Sequence, residues 1–541
     1  MKIYSKFYFI SFFMFLFCGA SFMFFLLNLN FNICYLYEIE LLSLNSVSFS
    51  FIIYLDWMSF LFMVIVTFIS SLILVYSKIY MGLECHRFLW ITFMFIFFML
   101  FMIMSPSVLG VLLGWDGLGV ISYCLVIYYK SLDAFNSGFI TAATNRLGDS
   151  MLILSITWFS MDNMFIWWET GSGVVFFLIA CMTKSAQFPF SAWLPSAMAA
   201  PTPISSLVHS STLVTAGVYM LIRFHHLLLV NLLMEFLLVI SLVTIFIAGM
   251  TALKEYDFKR VIALSTLGQL GFMMFILSVG FPYVAFFHLL IHALFKALLF
   301  MCAGSVIHSG IGIQDLRKLG NINIDCFTKI SLNIAVFNLM GLPFTSGFYS
   351  KDSLLELTNC SYGGVGVGFI IMIMALITVS YSVRLMLFLS SFMGWVLWLE
   401  NSASLKVSVL MLGVLNLMAG SSLNWLMQEL ELISLSLLTK LSPLIMILLG
   451  ICWHGVFMVN VESMYMVSSL FFTSSLTKLF SVVGYLFFFF MKLVDQGWLE
   501  SFLSWVKCSS IKNSFYIKNM LMPESKLVFS VGVTLSLLMV I

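Results

Sequence analysis

The chain has 541 residues, of which 62% are hydrophobic and 9% charged, with a formal net charge of +2. An ordinary soluble domain is about 25% charged, and the mean hydropathy here is +1.10. A soluble fold and a nucleic-acid-binding surface are both excluded, and the composition is that of a polytopic membrane protein. The ten cysteines form no C-x-x-C, so no disulfide framework, zinc site or iron–sulfur site is indicated.

In chain order, apolar runs long enough for a bilayer core of about 30 Å fall at 7–27, 51–76, 88–104, 107–129, 136–160, 172–190, 203–222, 228–251, 258–280, 283–304, 326–346, 364–392, 404–424, 436–458 and 525–541. The expected fold is therefore all-α, with about fifteen transmembrane helices. The first run follows Lys2 and Lys6 like a signal peptide, but it is too long for one and no A-x-A follows it. With the N-terminus on side A, that side's loops hold Lys2, Lys6, Lys78, Arg87, Lys130, Lys254, Lys259, Arg260, Arg317 and Lys318. Side B holds Arg223 and Lys351. Positive charge marks side A as the cytoplasm or the mitochondrial matrix. The stretch 464–522 carries charges too often for a span. It reads as an amphipathic helix along the membrane on side A, or as one span within 479–494 plus a loop.

Ionisable groups inside such runs are expensive and mark function. Asp116 lies in LLGWDGLGVISYCLVIYY, whose glycines at 114, 117 and 119 read as helix packing. Arg146 and Asp149 follow at i,i+3 and can pair, for structure or for function. Lys184 comes five residues before Pro189, which removes a backbone donor and breaks the helix. Pro195, Pro201 and Pro203 make the following stretch irregular, and His209 then sits among serines and threonines. Lys259 is near a helix start on side A.

His288, His292 and Lys296 are spaced four apart, so on a helix they stack along one face, about 12 Å from first to last. With no H-E-x-x-H glutamate and no third ligand nearby, a hydrated proton path is the better reading than a metal site. Lys351 and Asp352 follow a second break at Pro343. The two breaks are five expected spans apart, the odd offset that inverts one repeat relative to the other.

The segments LLGWDGLGVISYCLVIYY, NRLGD, KSAQFPFSAWLPSAMAAPTPISSLVHSSTLVTAGVYMLIRF, DFKRVIALSTLGQLGFMM, HLLIHALFKALLFMCAGSVIH and GLPFTSGFYSKD resemble, in that order, the chain 5 family of mitochondrial NADH–ubiquinone oxidoreductase, respiratory complex I. That family is similar to one side of the Mrp-type cation/proton antiporters. The resemblance is dense from about 54 to 352. It implies N-terminal helices over 1–87, antiporter-like halves over 88–251 and 252–424, and a C-terminal part over 425–541 with a lateral helix and a final span. It also implies a switchable pair between Asp116 and Lys184, although most members carry Glu where this chain has Asp116. The central axis would run through His209 and the His288–His292–Lys296 stripe, with Lys259 near the side-A inlet and Lys351 with Asp352 at the outlet.

Members often have a further N-terminal helix. They also often have an acid near Ala199 or Ala200 and a histidine near Ser191, which this chain lacks. The chain itself has no Rossmann fingerprint and no cysteine cluster, so NADH, FMN, iron–sulfur clusters and ubiquinone belong to partner subunits. The implied partners are an adjacent antiporter-like chain, contacts of the lateral helix, accessory subunits and the lipid bilayer of the mitochondrial inner membrane. The N-terminus would lie in the matrix. A self-standing antiporter and a scaffold with dead channels are the competing readings.

Overall fold

The computed structural model describes residues 2–31, 33–44, 47–82, 85–161, 173–229, 231–319, 325–360, 364–390, 403–427 and 436–453, and beyond them 489, 492, 505–510 and 512. Helices dominate: α1 (Lys2–Phe31), α2 (Trp57–Met81), α3 (Cys85–Met104), α4 (Val108–Val126), α5 (Leu132–Met161), α6 (Val174–Lys184), α7 (Thr202–Val208), α8 (Leu213–Arg223), α9 (Asn231–Ala252), α10 (Phe258–Val279), α11 (Pro282–Ser309), α12 (Cys326–Met340), α13 (Ser346–Cys360), α14 (Gly364–Ser390), α15 (Ala403–Met427) and α16 (Leu437–Trp453). Among the described residues ten helical stretches are long and apolar enough to cross a membrane. The chain is thus a multi-pass membrane protein. Three shorter apolar helices, Val174–Lys184, Cys326–Met340 and Thr439–Cys452, add to these.

The all-α expectation needs one correction. β1 (Tyr35–Leu44) and β2 (Val47–Leu55) form an antiparallel hairpin, with Tyr35 opposite Leu55. The expected span from 51 therefore begins only at Trp57. Asp56 sets that boundary: its carboxylate accepts from the Ser59 amide at 3.0 Å, and the Ser59 hydroxyl accepts from the Asp56 amide at 2.9 Å. This reciprocal pairing satisfies two donors at the helix start. The same carboxylate takes both Arg223 nitrogens, Nη1 at 2.5 Å and Nη2 at 2.8 Å, and so ties the start of α2 to the end of α8.

α10 and α11 form the centre of the bundle. Their apolar windows are 100% and 94% buried, against 28% for α1 at the periphery. Lys259, His288, His292 and Lys296 on these helices are therefore sheltered from lipid by the other helices.

Contacts divide the chain at Phe471, and everything above belongs to the first unit. In the second unit 505–510 are helical. The rest of the expected lateral helix lies outside the described residues, apart from 489, 492 and 512, and the last span, 525–541, lies wholly outside them.

Candidate functional site: a buried row of ionisable groups

α6 stops at Lys184, just short of Pro189. Pro189 has no N–H to offer the Ser185 carbonyl, and the Gln187 side-chain amide donates there instead at 3.2 Å. The Trp193 indole donates to the Thr183 carbonyl at 3.0 Å. These bonds satisfy carbonyls at the buried end of α6. Irregular short turns then carry the chain from Phe190 to Ala199, as the prolines predict.

Lys184 is buried at this end. Its ammonium donates to the Trp115 carbonyl at 3.2 Å and lies 4.0 Å from Asp149. The partner expected from the resemblance, Asp116, stays within electrostatic range of Lys184, but the carboxylate within 4.0 Å is that of Asp149. Asp116 instead meets Arg146 at 3.8 Å, and Arg146 meets Asp149 at 3.3 Å. The four groups form a chain of alternating charge, Asp116–Arg146–Asp149–Lys184. It runs from side chains 38% and 57% exposed to one 1% exposed. The physical reason is position. Asp149 is buried on α5 opposite α6, whereas Asp116 sits on the open side of α4. The glycines divide similarly. A methyl on Gly114 or Gly117 would strike Met102 or Phe98 of α3, as packing predicts, but one on Gly119 would lie 3.3 Å from the Lys184 ammonium.

The span expected over 203–222 is present as the crossing stretch Thr202–Arg223, but it is built of two helices. His209 ends α7, and α8 begins at Leu213. Serine and threonine hydroxyls take the carbonyls freed between them. Thr212 donates to Leu207 at 2.8 Å, Ser211 to Leu207 at 3.3 Å, and Ser210 to Ser206. His209 is buried, its ring 6.1 Å from that of Trp193. Neither ring nitrogen bonds another protein group. Lys259 is buried and donates to the Ala200 carbonyl at 3.3 Å.

On α11 the stripe is one continuous buried face. His288 bonds Ser350 through Nδ1 at 3.0 Å and Gln269 through Nε2 at 3.1 Å. The His292 ring lies 6.4 Å from the His288 ring, and its nitrogens meet no protein partner. Lys296 donates to the Ser265 hydroxyl at 2.6 Å. Ser265 and Gln269, at i,i+4 on α10, present one polar face to this stripe. That spacing inside an apolar helix was the readable signal for two residues the sequence analysis passed over. Among the described residues no hydrogen bond or ring contact joins His209 to Lys259, His292 or Lys296.

The second break follows α12. Gly341 adopts the left-handed region at φ 79°, and the Leu342 amide donates back to Phe337 at 3.2 Å. An L side chain rarely takes that backbone conformation, so glycine ends the helix cleanly. Pro343 follows, and the chain restarts as α13 at Ser346. Lys351 donates to Thr378 Oγ1 at 2.7 Å and to the Met340 carbonyl at 3.4 Å. Asp352 is half-buried, with Glu356 and Lys440 in electrostatic range. Lys351 and Asp352 line a cleft with Ala375, Pro443 and Met446.

Residues 105–380 match the family described as NADH:quinone oxidoreductase/Mrp antiporter, transmembrane, and 41–89 match NADH-ubiquinone oxidoreductase (complex I), chain 5 N-terminus. The NADH-ubiquinone oxidoreductase chain 5 of Aedes aegypti is 44% identical over 503 residues, 86% of each chain. The chain belongs to the NADH-ubiquinone oxidoreductase chain 5 family. That of Locusta migratoria is 43% identical over 524 residues, covering 90% of this chain and 91% of its own.

The fold is also that of more distant membrane complexes. A chain in the structure of the Mrp complex from Dietzia aligns with a TM-score of 0.71 at 21% identity, covering 94% of this chain; this chain spans 60% of that one. A chain of the membrane-bound sulfane sulfur reductase, an archaeal respiratory membrane complex, aligns with a TM-score of 0.70 at 19% identity, covering 83% of this chain and 93% of its own.

Proposed function

We propose that this chain is a core membrane subunit of respiratory complex I. It moves protons across the mitochondrial inner membrane, driven by NADH-to-ubiquinone electron transfer in partner subunits. The observation that carries this reading is the buried row itself. Lys184, His209, Lys259, His288, His292, Lys296 and Lys351 are each 0–7% exposed, within helices that are otherwise apolar. Idle charges so placed cost several kcal/mol each.

The geometry suggests how the row is switched. Arg146 is shared between Asp116 and Asp149. With Arg146 drawn to Asp116, Asp149 is free to hold Lys184 as an ammonium. With Arg146 on Asp149, the Lys184 charge loses its counterion and its proton passes on towards His209. Water would bridge the steps from His209 to the α11 stripe, because buried imidazole nitrogens without protein partners take water. The proton continues through Lys296, His292 and His288 to Ser350 and Lys351, and Lys351 with Asp352 releases it. Each proton moved against 100 mV requires about 2.3 kcal/mol. The sequence carries no Rossmann fingerprint and no cysteine cluster, so this reading assigns NADH, FMN, iron–sulfur clusters and ubiquinone to the partners.

The same reading takes the breaks at Lys184 and Met340 as equivalents in two inverted five-helix repeats, 88–251 and 252–424, within about fifteen spans. It places the N-terminus in the matrix and a lateral helix over 464–522 that clamps neighbouring membrane subunits. The test is Lys296→Met in the assembled complex. The complex should assemble while proton pumping falls away. Full pumping would leave a scaffold with dead channels. Purification of the chain apart from any NADH-oxidising complex would leave a free antiporter.

A further inference from the structure

Of the three imidazoles in the buried row, His288 alone has a protein partner on each nitrogen. Nε2 meets Oε1 of Gln269, on α10, at 3.1 Å. Nδ1 meets the hydroxyl of Ser350, on α13, at 3.0 Å. An amide oxygen only accepts, so Nε2 carries a hydrogen. The ring is 2% exposed, and among the described residues no carboxylate bonds it. It is therefore neutral, and Nδ1 accepts the Ser350 proton.

This tautomer faces the wrong way for the proposed flow. Nδ1 points to the outlet, so a proton from His292 has to enter at Nε2, and Nε2 is already occupied. It is, however, the tautomer that one forward transfer leaves behind. Nε2 gains a proton from the His292 side, Nδ1 loses one to Ser350, and Ser350 gives up its own towards Lys351. Each bond made is matched by one broken, and the ring ends neutral with its hydrogen on Nε2. From there the transfer would also run in reverse, with Ser350 loading Nδ1 and Nε2 returning its hydrogen to His292. Gln269 sits on that hydrogen.

We propose that Gln269 is a positioning residue that acts as a valve on His288. Its amide oxygen holds the Nε2 hydrogen after each forward transfer, and its amide nitrogen fits the ring once that hydrogen has been reset to Nδ1. The Gln269 amide nitrogen is buried without a hydrogen-bond partner. Half a turn of the amide brings it against Nε2, where it suits only a ring whose hydrogen is on Nδ1. Ser350 then accepts from Nδ1, and its own hydroxyl keeps the Gly347 carbonyl, at 3.4 Å, as acceptor. Both orientations retain one bond between Gln269 and His288. This inference rests on the proton-path reading above.

The test uses the assembled complex in sealed vesicles and reads two quantities: NADH-driven pumping, and the decay of an imposed proton gradient without NADH. Methionine matches the length of glutamine and has no amide. In Gln269→Met the gradient should decay about fivefold faster than in the unaltered complex, the worth of one neutral hydrogen bond, and net pumping should fall. Adding His288→Phe should remove the excess leak, because the leak runs through that ring. Unchanged decay in Gln269→Met beside a silent Lys296→Met overturns the valve and leaves the row intact, and so does an excess leak that survives His288→Phe. Full pumping by Lys296→Met overturns the row itself. If Gln269→Met fails to assemble, infrared spectra of the complex with isotope-labelled histidine, taken as a difference against His288→Phe, decide. The ring signature of an Nε2–H tautomer is expected at rest, and that of an Nδ1–H tautomer overturns the proposal.

Discussion

The two broken helices place a lysine at similar points but surround it differently. At the first, Lys184 faces Asp149 at 4.0 Å, and behind Asp149 stand Arg146 and Asp116. At the second, Lys351 rests on a threonine hydroxyl and a backbone carbonyl, and among the described residues no carboxylate forms an ion pair with it. A lysine held by movable charges has its proton affinity set by where those charges sit. One held by neutral acceptors has it set by a fixed environment. On the proposed function the first break acts as a switch and the second as a fixed station.

The largest effect that would sharpen this contrast is expected from Asp149→Asn. The variant leaves a buried ammonium without its counterion, a change of about 3–5 kcal/mol. Vesicle pumping should disappear, and the assembled complex should lose thermal stability. Next comes Thr378→Val at the second break, which removes one hydrogen bond from a charged donor, about 1.5–3 kcal/mol. Pumping should fall partially and return with Thr378→Ser. Were Thr378→Val to abolish pumping while Asp149→Asn left it intact, the roles of the two breaks would be reversed.

Asp116→Glu should matter less. The added methylene brings the carboxylate within closer reach of Arg146, and pumping should stay within about twofold, below 1 kcal/mol. Loss of pumping would show that Asp116 acts at a fixed distance.

The smallest effect belongs to a surface pin beside α10. There the Phe258 amide donates to Gln314 and the Leu316 amide to Tyr256, both at 2.9 Å. Arg317 hydrogen-bonds Asp315 in this loop and holds its carboxyl below the usual range. A depressed folded value means stability present above about pH 4 and lost as pH falls through the folded value. Because the pair is exposed, the contribution is small. Amide exchange in 310–318, corrected for its intrinsic pH dependence, should rise only below that pH, and Asp315→Asn should remove the step.

The buried stripe on α11 was legible because a four-residue period of titratable groups stands out in an apolar helix. Both breaks were legible because proline announces them. The Lys184 counterion was not. Arg146 at i−3 already offers Asp149 a partner in sequence, and spacing along one helix does not reveal which residue faces the next. The hairpin left a trace in the alternation Val47-Ser48-Phe49-Ser50-Phe51, masked by the long hydropathic run that follows. The interruption at His209 carries neither proline nor glycine, so nothing in the sequence announced it within the span read over 203–222.

That interruption has a consequence for motion. Straightening or bending a helix ordinarily strands carbonyl oxygens, and in hydrocarbon surroundings each stranded group costs several kcal/mol. Where α7 ends, the Ser206 and Leu207 oxygens already have local hydroxyl donors, Ser210, Ser211 and Thr212, that travel with the chain. The imidazole at position 209 can therefore swing between neighbours on an articulated joint whose two arms keep their own ladders whole.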